Sequence, residues 1–262
     1  MKLRIVPART GLDWVKMGVR TFLRQPLAMS GLFLMFMAAV TLISAIPAIG
    51  PLLALALVPA ATLGLMAATD EATRGRFPMP TLLVTAFRAG QQRARAMLVL
   101  GALYAVAALL VSFVTQWITP VVPSSTDARE VVMSPAFQRS VAVSMVLYVP
   151  IAALFWHAPA LVHWHGVPPV KSLFFSGVAC LRNLGAFVVY ALGWTTVFVS
   201  VGLLLSAIGS LFGGAQVLAA LMYPLAMILA AMFFTSILFS VQGCFEPDPP
   251  PDAQPPTVPP AA

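Results

Sequence analysis

Few side chains in this sequence are of a type that could do chemistry, and they are unevenly placed. Three histidines (His157, His163 and His165), two cysteines (Cys180 and Cys244) and the acidic pair Asp70 and Glu71 are the candidates. All but Cys244 and the acidic pair fall in residues 156–182, WHAPALVHWHGVPPVKSLFFSGVACLR, where an apolar run ends, turns at Gly-Val-Pro-Pro and becomes amphipathic. His163 and His165 could ligate a transition metal if Asp70 or Glu71 folded beside them. Zinc sites favour three or four well-spaced ligands. Two histidines with no cysteine between or beside them fall short, and the pair reads better as interfacial histidines in an aromatic belt with Trp156 and Trp164. No metal and no other cofactor is expected. Asp70 and Glu71 could form an acid/base pair at the membrane surface, but a helix end balanced by Arg74 and Arg76 is the preferred reading. No Ser-His-Asp order or phosphate-binding glycine loop stands out. The chain reads as non-enzymatic, with no catalytic residue. Two cysteines are too few for a disulfide framework and read as reduced thiols.

The remaining reactive groups are cations. Lys16, Arg20 and Arg24 recur every four residues, which places them in one row on a helix. Arg88 and Arg95 are read as a matching row, and Lys171 and Arg182 as a third basic patch. Their chemistry is headgroup contact, with anionic phospholipid as the preferred partner. A protein partner or a second copy of the chain is the other occupant considered for this face. Nucleic acid is not expected, because the basic residues lie between apolar runs.

The elements that must position these groups are membrane spans. Of 262 residues, 60% are hydrophobic and only 9% charged, a balance that calls for lipid as solvent. A span needs about 20 apolar residues. Six runs qualify: 27–49, 51–69, 96–119, 140–162, 184–210 and 217–241, with tight turns near Gly50-Pro51 and Gly213-Gly214. The first is too long for a cleaved signal and reads as its own insertion signal. All Lys and Arg except Arg129 and Arg139 fall at one end of this arrangement, which makes that end and both termini cytoplasmic. Within the runs the one clearly ionisable side chain is His157. That disfavours ion-coupled transport, which uses buried charges.

Each cytoplasmic segment carries an amphipathic pattern. Leu12, Val15, Val19 and Phe22 oppose the Lys16 row, with Thr10 and Asp13 as a capping box and Pro26 as the stop. Near 81–95, Leu83, Ala86, Phe87 and Gly90 oppose Arg88, Gln92 and Arg95. Near 171–183, Phe174, Gly177, Val178 and Leu181 oppose Ser172, Ser176 and Asn183. Such stripes suit helices lying in the interface. Pro59, Gly75, Pro78 and Leu82 recur 91 residues later as Pro150, Gly166, Pro169 and Leu173, suggesting an interfacial helix plus a two-span hairpin, three times over. The fold class is therefore all-α: a polytopic membrane protein with six transmembrane helices and three amphipathic interfacial helices. Residues 1–26 form the basic N-terminus, 27–241 the membrane domain, and 242–262 a disordered Pro-rich acidic tail.

Ala158-Pro159-Ala160-Leu161-Val162, His165-Gly166, Pro168-Pro169, 171–176 (KSLFFS), 6–9 (VPAR) and 22–26 (FLRQP) together resemble an uncharacterised family of proteobacterial polytopic inner-membrane proteins. The resemblance covers most of residues 1–241 and implies an inner-membrane location, but no activity, substrate or site residues. More loosely, the repeated unit is similar to the membrane domain of bacterial glycerophosphodiester phosphodiesterases, although no soluble catalytic domain is read here. The expected role is a membrane component that engages lipids or a partner through its basic face. The alternative is a permease for a small neutral or lipid-like solute, with a membrane-surface enzyme third. A continuous polar path along Ser112, Thr115, Thr195, Thr196, Ser200, Thr235 and Ser236 would favour the permease.

Overall fold

The computed structural model describes residues 2–120, 128–212 and 214–246. Its helices are α1 (Thr10–Arg24), α2 (Pro26–Ser44), α3 (Gly50–Thr73), α4 (Thr85–Arg88), α5 (Gln91–Ile118), α6 (Ala128–Met133), α7 (Pro135–Trp156), α8 (Ala158–His165), α9 (Pro169–Arg182), α10 (Leu184–Phe212) and α11 (Gly214–Cys244). A 3₁₀ turn, Pro80–Val84, precedes α4. Two short strands, β1 (Lys2–Leu3) and β2 (Phe245–Glu246), pair antiparallel. Proline opens α2, α7 and α9, where its missing N–H has no helical partner to lose.

Six helical segments are long and apolar enough to cross a membrane. They coincide with the six apolar runs and pair as three hairpins: α2–α3, α5–α7/α8 and α10–α11. The second member of each carries an internal proline, Pro59, Pro150 and Pro224. Gly75 and Gly166, 91 residues apart in sequence, both take left-handed φ values, +74° and +64°. Each reverses the chain just after its hairpin's second member, a conformation glycine adopts at no steric cost.

The amphipathic segments connect the hairpins in a ring. The 3₁₀ turn lies on α3, where a Cβ at Gly64 would come within 2.7 Å of Leu83 Cα. Helix α9 lies on α7 and α8. Helix α1 lies on α11 and α10: a Cβ at Gly18 would sit 2.3 Å from Ser236 Cβ, and one at Gly11 2.0 Å from the Ala186 carbonyl oxygen. Each segment thus packs against the hairpin before its own, and α1 closes the circle on the last.

Asn183 and the strand pair seal that closure. Asn183 Oδ1 accepts from the Val6 N–H at 2.8 Å, and its Nδ2 donates to the Arg4 and Ala179 carbonyls at 3.0 Å each. The Arg4 N–H donates to the Cys244 carbonyl at 2.8 Å.

Several expectations are corrected. The segment near 81–95 is not one helix: Gly90, at φ +95°, separates α4 from α5, so Arg88 and Arg95 stand on different elements and form no common row. Helix α1 begins without a side-chain cap, so the Thr10–Asp13 box does not form. Its buried face is Gly11, Trp14, Val15, Gly18, Thr21 and Phe22, and Leu12 is exposed. In α9 it is the polar stripe that meets protein: Ser172, Ser176 and, at its end, Asn183 are buried while Phe174 and Leu181 face outward. Where lipid is the solvent, apolar groups gain nothing by turning inward, whereas buried hydroxyls and amides satisfy backbone groups that have no water. The last helix continues past Val241 to Cys244, and β2 follows, so 242–246 belongs to the fold; the tail from 247 lies outside the described residues.

Candidate functional site

Ser176 makes the sharpest local feature of the bundle. Its hydroxyl accepts the His157 N–H at 3.0 Å and donates to the Ala153 carbonyl at 2.7 Å, inserting one side chain into the rung that would join those two residues. With Pro159 unable to donate two residues on, the helix breaks between α7 and α8, as an inserted side chain or a proline does. Cys180 Sγ lies 3.5 Å from the same carbonyl and 3.8 Å from His157 Nδ1. Helix α9 is thereby keyed into the break, and the 156–182 stretch is a packing joint.

The acidic pair is spent on neighbours. Asp70 bonds Arg74 at 2.7 Å, and Glu71 takes both nitrogens of the Arg76 fork. His163 is buried in α8 and His165 half-buried. Among the described residues no group of three or more His, Cys, Asp or Glu is placed to hold a metal.

The cationic row is where the structure gathers a site. Lys16, Arg20 and Arg24 line a groove of about 740 Å³ between α1 and α10. Its walls are Leu12, Val15, Val19 and Leu23 from α1 and Gly193, Thr196 and Val197 from α10. The groove forms because Gly11 and Gly18 draw the α1 backbone onto α10 and α11 and leave the next face of α1 open. None of the three cations makes an ion pair among the described residues. Like charges four residues apart on a helix cost a few tenths of a kcal/mol per pair, a cost an anion in the groove removes.

The ring provides a comparison. The corresponding groove beside the 3₁₀ turn and α4, walled by Phe36, Val40 and Ile43 of α2, is about 160 Å³ and has no charged lining residue. Arg88, Arg95, Lys171 and Arg182 are exposed and line neither groove. Sequence periodicity found the cations but not Gly193, Thr196 and Val197, which lie far along the chain in α10. A small-residue face at Gly11 and Gly18 was the signal that α1 packs on protein.

Five of the seven polar residues considered for a transport path have hydrogen-bond partners within the protein. The Ser112, Thr196 and Thr235 hydroxyls donate to carbonyls four residues earlier. Thr115 accepts from Ser144 at 3.1 Å, and Ser236 is bonded to Tyr190 and Trp194.

Three linked hairpins of apolar helices, with their connecting segments at one basic end, define a multi-pass α-helical membrane protein. No known family model matches the chain, and no solved structure does. It is 36% identical over 254 residues to a probable inner membrane protein of Burkholderia thailandensis, covering 94% of each chain. The chain belongs to that protein's family and is an inner-membrane protein.

Proposed function

We propose that this protein is a non-enzymatic component of the membrane that holds an anionic phospholipid in the α1/α10 groove, phosphate on the Lys16–Arg20–Arg24 row and acyl chain along the apolar wall. The observation that carries the reading is three cations, with no ion pair among the described residues, lining a groove whose remaining lining is apolar but for Thr196. In this reading the basic end, with both the N-terminus and the end of α11, faces the cytoplasm, where the excess of Lys and Arg belongs. Each cation near an anionic headgroup contributes about 1 kcal/mol. Three together favour anionic over zwitterionic lipid by roughly 100-fold at low salt, and salt reduces this.

The test compares lipid retained after purification by Lys16→Gln/Arg20→Gln/Arg24→Gln with that retained by Arg88→Gln/Arg95→Gln, which removes charge outside the groove. Loss of phosphatidylglycerol from the first variant alone, with unchanged melting temperature, supports the reading. Equal retention by both variants and the parent at low and moderate salt refutes it.

A further inference from the structure

We propose that the middle of the bundle is a second binding site, for a flat, uncharged, lipid-soluble ring bearing a carbonyl, a molecule of the quinone type. A cavity of about 340 Å³ lies where α3, α5, α7/α8 and α11 meet, within the range of small-molecule sites. Its lining residues fall near the midpoints of their helices: Pro59 in Gly50–Thr73, Tyr104 in Gln91–Ile118, Ala152 in the combined span Pro135–His165, and Phe233 in Leu221–Cys244. The cavity therefore sits midway between the ends of the spans, beside the break at His157.

Two features of the wall specify the occupant. Tyr104, Tyr148, Phe155, Trp156, Phe233 and Phe234 surround the space, offering the faces and edges on which a planar ring packs. No charged residue lines it, so a charged ligand would lose its hydration without compensation.

The polar groups reduce to one donor. The Thr62 hydroxyl donates to the Val58 carbonyl at 2.9 Å, and the Trp156 indole N–H to Ser240 Oγ at 2.9 Å. The Tyr104 and Tyr148 hydroxyls bond each other. One of that pair donates, and the proton of the other has no acceptor among the described residues. Each hydroxyl carries one proton, so the pair always has one left over. A carbonyl oxygen reaching into the cavity accepts it. An apolar chain cannot, and an alcohol gains less, since its own proton would then need an acceptor.

The site is separate from the groove on α1. The test uses full-length protein in nanodiscs and a short-chain azidoquinone photolabel, with ubiquinone-1 as competitor. The expected result is saturable labelling of the peptides around Tyr104, 148–159 and 233–237, suppressed by the competitor. Tyr104→Phe/Tyr148→Phe keeps both rings and removes the donor, so labelling affinity falls about five- to tenfold, the loss of one hydrogen bond. Ala152→Phe fills the cavity and abolishes saturable labelling; should it fail to fold, the double tyrosine variant decides alone. The Lys16→Gln/Arg20→Gln/Arg24→Gln variant labels like the parent, so failure of the lipid reading leaves this result untouched. Labelling that does not saturate, that maps outside these helices, or that is unchanged in the double tyrosine variant overturns the proposal.

Discussion

Replacing Gly18 by alanine tests whether α1 is part of the bundle or lies loose in the interface, because one methyl group must then occupy the seam with α11. Carbon atoms pack at about 3.5–4.0 Å. A Cβ at Gly18 would lie 2.3 Å from Ser236 Cβ and 2.7 Å from its Cα, so the two helices must part by about 1 Å. The seam cannot yield cheaply. It buries Trp14, Val15 and Phe22 at 1, 5 and 2% exposure, and Ser236 is fixed by Tyr190, Trp194 at 3.1 Å and the Phe233 carbonyl at 2.6 Å. Overpacking of this kind costs about 1–3 kcal/mol, a melting-point fall of roughly 2–12 °C by the per-kcal scaling of domains of up to about 250 residues. Gly31→Ala is the control, since a Cβ there meets nothing within 4 Å, and its expected effect is nil or slightly stabilising. Melting in detergent is read together with maleimide labelling of Cys244, which is fully buried in the same cluster as Trp14. Gly18→Ala labels faster than the parent and Gly31→Ala does not. Identical melting and labelling for the two variants would refute the docking of α1, and with it the origin of the groove.

Ser176→Ala strips the rung between His157 and Ala153 of its bridge and leaves a buried N–H unpaired, which costs about 1–3 kcal/mol; unchanged thermal stability contradicts the packing-joint reading. Asn183→Leu removes three hydrogen bonds to the N-terminal segment and to α9, about 2–4 kcal/mol, seen as faster amide exchange at Val6. Burial, with a smaller contribution from Cys244, pushes the Cys180 thiol up from 9.0 to about 12. The folded chain then holds this proton more tightly than the unfolded one, so the associated stability is complete below pH 9 and lost as pH rises from about 9 to about 12. Melting is expected to decline across that window less steeply in Cys180→Ala. His163→Gln/His165→Gln is expected to leave bound metal and folded yield unchanged; stoichiometric zinc lost in that variant says otherwise.

The six spans were legible in the sequence because their signal is additive: about 20 apolar residues are needed whatever their order. The amphipathic segments were legible as segments but not as surfaces. Periodicity separates an apolar stripe from a polar one but does not say which of them meets protein when lipid is the solvent. In α9 the polar stripe does, with Ser172 and Ser176 inward and Phe174 outward. In α1 the closest contacts come from Gly11 and Gly18, which carry no hydrophobicity to count. The kink at His157 had a visible proline, while its second cause, Ser176, lies 19 residues further on. The spacing of Lys16, Arg20 and Arg24 already defined a row, but the wall opposite comes from α10 and depends on how the ring closes.

That closure can be tested directly by rotating the sequence around it. Lys2 pairs with Glu246 and Leu3 with Phe245, so the ends of the fold are neighbouring strands, about 5 Å apart, and a linker of a few residues joins them. Gly75 lies in an exposed turn after α3 and makes a natural new break. A permutant that starts at Arg76, runs to Glu246, crosses a Gly-Ser linker to Lys2 and ends at Gly75 keeps every hairpin and every segment-on-hairpin contact. It also moves an even number of spans, so the sidedness of each is preserved. If the three units are equivalent links of one ring, this chain inserts and melts within a few degrees of the parent, whereas deleting 2–25, which removes the closing link, exposes Cys244 to maleimide. Should the deletion match the parent in melting and labelling while the permutant fails, α1 is an insertion signal that must be made first, and the ring is a resemblance without energetic content.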